Sequence, residues 1–152
     1  MTSTILFILM MLFSCKSDDE IKIFHIANAD FIDTVKSSNK PLYNKISYFI
    51  INGNISNKSK LSNVVDSFAV HTSREQMNAE FNEYSMMFYK ESPETNLGNI
   101  RKDPKKLDDV YAQQHDLILV YSWANNRNPI KYEYKNGEII NPKGKLIITD
   151  VK

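Results

Sequence analysis

One cysteine, four glycines and five prolines are all that this 152-residue chain holds of the residues that most constrain a backbone. The single cysteine, Cys15, excludes an intrachain disulfide and any zinc site built from several thiolates. So few glycines and prolines exclude collagen-like and low-complexity architectures. The glycines stand at 53, 98, 137 and 144, so there is no glycine-rich loop to cradle a phosphate. Charge of one sign is missing as well: 19 Lys+Arg against 18 Asp+Glu leave a net charge of +1. That balance gives no electrostatic reason to expect a nucleic-acid partner or a polybasic membrane surface. With 42% hydrophobic and 24% charged residues the chain has an ordinary globular composition, and length alone sets a prior of one domain.

Residues 1–15 carry no charged side chain, and Ile5 to Phe13 is an unbroken apolar run. It has the length of a signal-peptide core, about 7–15 residues, and is too short for a membrane span of about 20. The run ends in Leu12-Phe13-Ser14-Cys15. This resembles the lipobox of bacterial lipoproteins, with Leu at −3, a small residue at −1 and Cys at +1. Two features depart from the pattern: Phe13 is bulkier than the usual −2 residue, and Met1–Thr4 has no Lys or Arg. The resemblance implies cleavage between Ser14 and Cys15 and a diacylglyceryl group on the Cys15 sulfur, whose thiolate is the nucleophile that takes the lipid. Lys16, Ser17, Asp18, Asp19 and Glu20 follow. An acidic cluster directly after the lipidated cysteine resembles the surface-export tether of Bacteroidota lipoproteins. The implied location is the outer membrane, surface-exposed, with a periplasm-facing site as the alternative. Residues 1–14 are thus read as a removed signal, 15–20 as lipidated Cys and tether, and 21–152 as one domain.

The domain reads as α+β, with a mostly antiparallel sheet, a C-terminal β-meander and one or two helices packed on one face. Ile21–Ile26 and Ile46–Ile51 read as strands, the second buried on both faces. Phe31, Ile32 and Val35 at helical spacing predict a short helix between Asn28 and Lys36, followed by a loop over 37–41. Leu61, Val64, Val65, Phe68 and Ala69 form one apolar stripe and predict a helix from about Lys58 to Val70, capped by Ser56 or Asn57. Residues 77–90 fit helix or strand, and the aromatics of Tyr84–Tyr89 favour strand. Asp103-Pro104 opens a helix expected to bury Leu107, Val110 and Tyr111. Leu117–Trp123 and Ile130–Tyr134 read as strands, and Asn136-Gly137 as a type I′ hairpin turn.

Candidate chemistry is sparse. His25, His71 and His115 form no metal-ligating pair in sequence, so neither a metal nor another cofactor is expected. His115-Asp116 is a conceivable acid–base pair, but neighbours on a strand point to opposite faces. Asp66, Glu75, Glu80 and Glu83 have no spacing that singles out a catalytic pair. No GxSxG motif is present. The aromatics are the one suggestive set. Tyr121 and Trp123 share a face with Leu119, and a row of this kind can stack sugar rings or a partner's side chains. On the next strand Lys131, Glu133 and Lys135 alternate with Ile130, Tyr132 and Tyr134, which predicts a wet lysine face and an inward tyrosine row. These readings point to a membrane-anchored, non-catalytic domain that binds a protein, peptide or glycan, with Tyr121 and Trp123 as candidate contacts. An envelope immunity or inhibitor protein and a small hydrolase are the alternatives.

Overall fold

The computed structural model describes residues 20–36, 41–77, 81–124 and 128–147. Residues 1–19, with the segments read above as a signal, a lipobox-like sequence and most of a tether, lie outside the described residues. The fold is α+β: eight strands form a mostly antiparallel sheet, with helices on it. The strands are β1 (Lys22–His25), β2 (Phe31–Lys36), β3 (Pro41–Asn52), β4 (Phe81–Lys90), β5 (Leu117–Ala124), β6 (Ile130–Lys135), β7 (Glu138–Ile139) and β8 (Lys145–Leu146). The helices are α1 (Lys58–Met77) and α2 (Leu97–Lys102).

Both edges of the sheet are broken strands. β1 pairs with the end of β3 (Lys22 opposite Asn52) and β2 with its start (Phe31 opposite Ile46). A 3-10 turn, Ala27–Ala29, separates them. The break is pinned by Asp30, which accepts from His25 Nε2 at 2.9 Å and lies 3.2 Å from Lys45 Nζ. Ile26, 2% exposed, plugs the gap, and its N–H donates to the Tyr48 carbonyl. On the far edge β7 pairs with the end of β6 and β8 with its start. Asn141 fills the space between them. Its Oδ1 accepts from the Glu133 N–H at 2.6 Å and its Nδ2 donates to the Lys131 carbonyl at 3.1 Å, as a strand would.

β3 and β4 are the parallel pair, and α1 is the crossover that parallel neighbours require. Asn57 Oδ1 caps α1 by accepting from the Lys60 N–H. The helix runs seven residues past its expected end at Val70. His71 pairs with Glu75 one turn on, and Ser73 bonds back to the Val70 carbonyl, so this polar stretch stays helical. Under α1 lies a core of Phe49, Phe88, Tyr84, Tyr121 and Trp123, with Val65 and Ala69 from the helix. Its aromatics interlock: Phe49 stacks on Phe88 at 5.0 Å and Tyr84 meets Trp123 edge-on at 4.5 Å.

The other sheet face is covered too, by short helical pieces carrying Ile100, Leu107 and Ala112 onto Tyr48, Ile50, Tyr89 and Val120. This explains why β3 is apolar at every position from Tyr48 to Ile51. α2, six residues containing Gly98, is too short to show periodicity; Asn96 caps it by accepting from the Asn99 N–H.

Three expectations are corrected. The 28–36 segment is a 3-10 turn and β2, because the start of β3 offers an unpaired edge that β-branched Ile32, Thr34 and Val35 suit. The 103–113 segment is not one helix. It is a 3-10 turn, Pro104–Asp108, then a π-helical turn, Ala112–Asp116. Extended Asp109 separates the two, so Leu107 and Ala112 are buried while Val110 and Tyr111 are 69% and 47% exposed. On β6 the alternation is inverted in part, as described below.

The hairpin turn is as expected: Asn136 and Gly137 both have positive φ, 53° and 79°. A Cβ on Gly137 would also lie 3.2 Å from Gln114 Cα. Gly137→Val is therefore expected to cost about 1–2 kcal/mol and lower Tm by several degrees. An unchanged melting curve would refute the turn assignment.

Candidate functional site

An α-helix is about 10 Å across, and strands lie about 4.8 Å apart. One helix cannot cover a sheet six strands wide. α1 buries the faces of β3, β4 and β5 and leaves much of β6 open on its side. The result is a groove of about 660 Å³ between the first turns of α1 and the β5–β6 edge. Its apolar floor comes from Ile55, Leu61, Ile118 and Ile140, and Lys58 and Lys135 stand exposed at its rim. Ile140 is 52% exposed and contributes its side chain to the opening.

A buried ion pair closes the back of the groove. Register places Lys131 opposite Tyr121 on the α1 side of the sheet. Its stem is covered and its ammonium, 2% exposed, meets Asp66 of α1 at 2.9 Å. The same nitrogen donates to Ser62 Oγ at 2.7 Å. Ser62 Oγ donates to Asp66 Oδ2 at 2.9 Å, and the Tyr121 hydroxyl donates to Asp66 Oδ1. Burial, then that hydrogen bond and the carboxylate's charge, push the Tyr121 phenol well above the ordinary range, so it stays a donor. Asp66 thus receives bonds from Tyr121, Ser62 and Lys131. A Ser–Lys contact beside a groove invites comparison with a nucleophile and its base. Here the ammonium is engaged with Ser62 and both carboxylate oxygens, so no lone pair faces the serine. The group is a clamp that ties α1 to β5 and β6.

This corrects the expected wet face of β6 at Lys131, while the tyrosine row does point inward. Lys131 lies inside, and Ile130 on the opposite face is 37% exposed. Tyr132 and Tyr134 pack against the second core, on the face away from Tyr121 and Trp123, so they do not extend that row. Tyr121 and Trp123 themselves are 0% and 4% exposed. Their rings belong to the core under α1, and neither presents a face for stacking a ligand.

The other candidates disperse. His25 bonds Asp30, His71 pairs with Glu75 on the exposed side of α1, and His115 packs on the Tyr111 ring. Asp116 turns away from His115 into the protein, where it accepts from Ser92 Oγ at 2.7 Å and Thr95 Oγ1 at 3.0 Å. That buried carboxylate shapes the 91–96 loop and forms no pair with its neighbour. Glu83 is exposed, and Glu80 lies outside the described residues. Among the described residues no three His, Cys, Asp or Glu converge as metal ligands, and no helix is long and apolar enough to cross a membrane.

Glu20, the last residue read as tether, is the first described. It is exposed and lies 3.3 Å from Lys22. The chain enters the domain across Gly53, where a Cβ would stand 2.3 Å from the Glu20 carbonyl oxygen. Ile55, two residues on, lines the groove. The entry point and the groove therefore share one end of the sheet. Comparison with known proteins finds no matching family model, no matching curated protein and no matching solved structure.

Sequence reasoning missed Ser62, Lys131, Lys58, Lys135 and Ile140 as a group. A lysine alternating with tyrosines on a strand reads as solvated, and only the position of Asp66 across the sheet says otherwise.

Proposed function

We propose that this chain is a lipid-anchored cell-envelope protein whose single domain is a binding module, with the groove between α1 and β6 as its ligand site. The observation that carries this reading is the groove itself: an open apolar floor with a cationic rim, placed at the end where the chain enters from its N-terminus. The lipobox-like Leu12-Phe13-Ser14-Cys15 supplies the anchor and the acidic residues to Glu20 the surface address. Two or more acyl chains, at about 0.8 kcal/mol per buried methylene, make release from the bilayer negligible. A tether of five residues keeps the groove close to the membrane. The clamped geometry of Ser62, Asp66 and Lys131 favours binding over hydrolysis, because none of the three is left free to take or give a proton.

Cys15→Ala tests the anchor. The variant is expected to lose incorporation of labelled palmitate and to persist at precursor size. Circular dichroism of the variant should match the parent. A mature-size, membrane-bound band without Cys15 would overturn the lipid anchor.

A further inference from the structure

We infer that the groove takes a single-chain fatty-acid anion, with its alkyl tail on the floor and its carboxylate between Lys58 and Lys135. This rests on the reading of the groove as the ligand site. The volume, about 660 Å³, lies within the roughly 300–1,000 Å³ of small-molecule sites. The floor residues Ile55, Leu61, Ile118 and Ile140 offer dispersion and burial, with no hydrogen-bonding side chain among them. A peptide laid along the sheet would need main-chain partners. The β6 edge beside the groove has none to spare, since β7, β8 and Asn141 already pair it and the Ile140 N–H donates to the Glu133 carbonyl. A glycan would need exposed aromatic faces; Tyr121 and Trp123 are buried, and Tyr134, the aromatic on the lining, packs against the second core. The rim supplies charge of one sign. Lys58 and Lys135 flank the mouth, Lys131 is already neutralised by Asp66, and Glu133 is the one carboxylate on the lining. The two rim lysines attract the carboxylate, and the tail runs inward over Ile118.

The test uses the full-length chain as processed by its own host, reconstituted in phosphatidylcholine vesicles, with a diazirine-bearing palmitate as the probe. Photolysis should label peptides containing Leu61, Ile118 and Ile140, and unlabelled palmitate should compete. Ile140→Asp, and separately Lys58→Glu with Lys135→Glu, should each reduce labelling about tenfold while leaving the melting curve unchanged. Both sets lie on exposed positions, and glutamate at the start of α1 suits the helix N-terminus, so folding is not at risk. Equal labelling by the matching fatty alcohol would overturn the anion, and labelling scattered over the surface would overturn the fatty acid altogether. Hydrogen exchange separates the two levels. Groove protection by a fatty-acid-free envelope extract, without probe labelling, would retain the binding site and discard the fatty acid. No protection by palmitate or extract would discard both.

Discussion

Asp66→Ala should lower the unfolding free energy by about 3–5 kcal/mol, the cost of stranding a buried charge. Typical domains hold only about 5–15 kcal/mol in total, so the variant should be close to unfolding at ambient temperature. The reason is specific. Lys131 is 2% exposed and its ammonium is held against both Asp66 oxygens and Ser62. Removing the carboxylate leaves that charge without a counter-ion in a place water does not reach, and strips the Tyr121 hydroxyl of its acceptor. The reverse truncation is milder. In Lys131→Met the stem packing survives, and Asp66, 18% exposed, keeps two hydroxyl donors and some solvent, so about 2–3 kcal/mol is expected. Asp66→Ala combined with Lys131→Met should cost less than the two single changes together, with a coupling of at least about 1 kcal/mol. Urea unfolding of the four proteins measures this cycle. An Asp66→Ala loss under about 1 kcal/mol would mean that the pair is solvated and does not tie α1 to the sheet.

Above pH 10 the domain should lose stability steeply. Four buried tyrosines set the effect. Burial, with Asp108 close to the hydroxyl, pushes Tyr48 up to about 12, and burial pushes Tyr84 up to about 12. Tyr89 and Tyr121 are raised further, again chiefly by burial. In the unfolded chain these phenols titrate at their ordinary value of 10.0. The folded state therefore binds protons that the unfolded state releases. The stabilisation is fully present below pH 10 and is lost as pH rises toward and beyond 12. Each such group contributes a slope of about 1.4 kcal/mol per pH unit, so four give roughly 5 kcal/mol per unit across that window. Denaturant titrations at pH 9, 10 and 11 should show a shallow first interval and a steeper second. Phenolate absorbance from these tyrosines should appear with unfolding and not before it. A folded protein at pH 11 with most of its tyrosines ionised would contradict the packing described for both faces of the sheet.

Much of the architecture was legible in the chain. Strong local signals survived: the stripe from Leu61 to Ala69 made a helix, Asn136-Gly137 made its turn, and Tyr48–Ile51 of the apolar strand lay buried on both faces. Signals of equal length but weaker periodicity did not. Phe31, Ile32 and Val35 satisfy a helix face and a strand alike, and an open edge on β3 decided the matter. Val110 and Tyr111 were expected inside, but a bend at Asp109 turned them out.

The candidate site shows the division most clearly. Residue types alone placed the apolar run, the single cysteine and the acidic cluster in one order, because those properties are read along the chain and need no partner. Alternation alone also established that Lys131, Glu133 and Lys135 share a face. Which way that face points was decided by tertiary structure. α1 crosses from β3 to β4, carries Asp66 and Ser62 over β5, and stops short of the β6–β7 edge. Lys131 is thereby drawn into a buried ion pair, while Lys135, four residues on, is left at the rim of an open groove. The physical reason is width: a single helix has too little breadth to shield the whole sheet, and what it leaves uncovered is where this protein can hold something else.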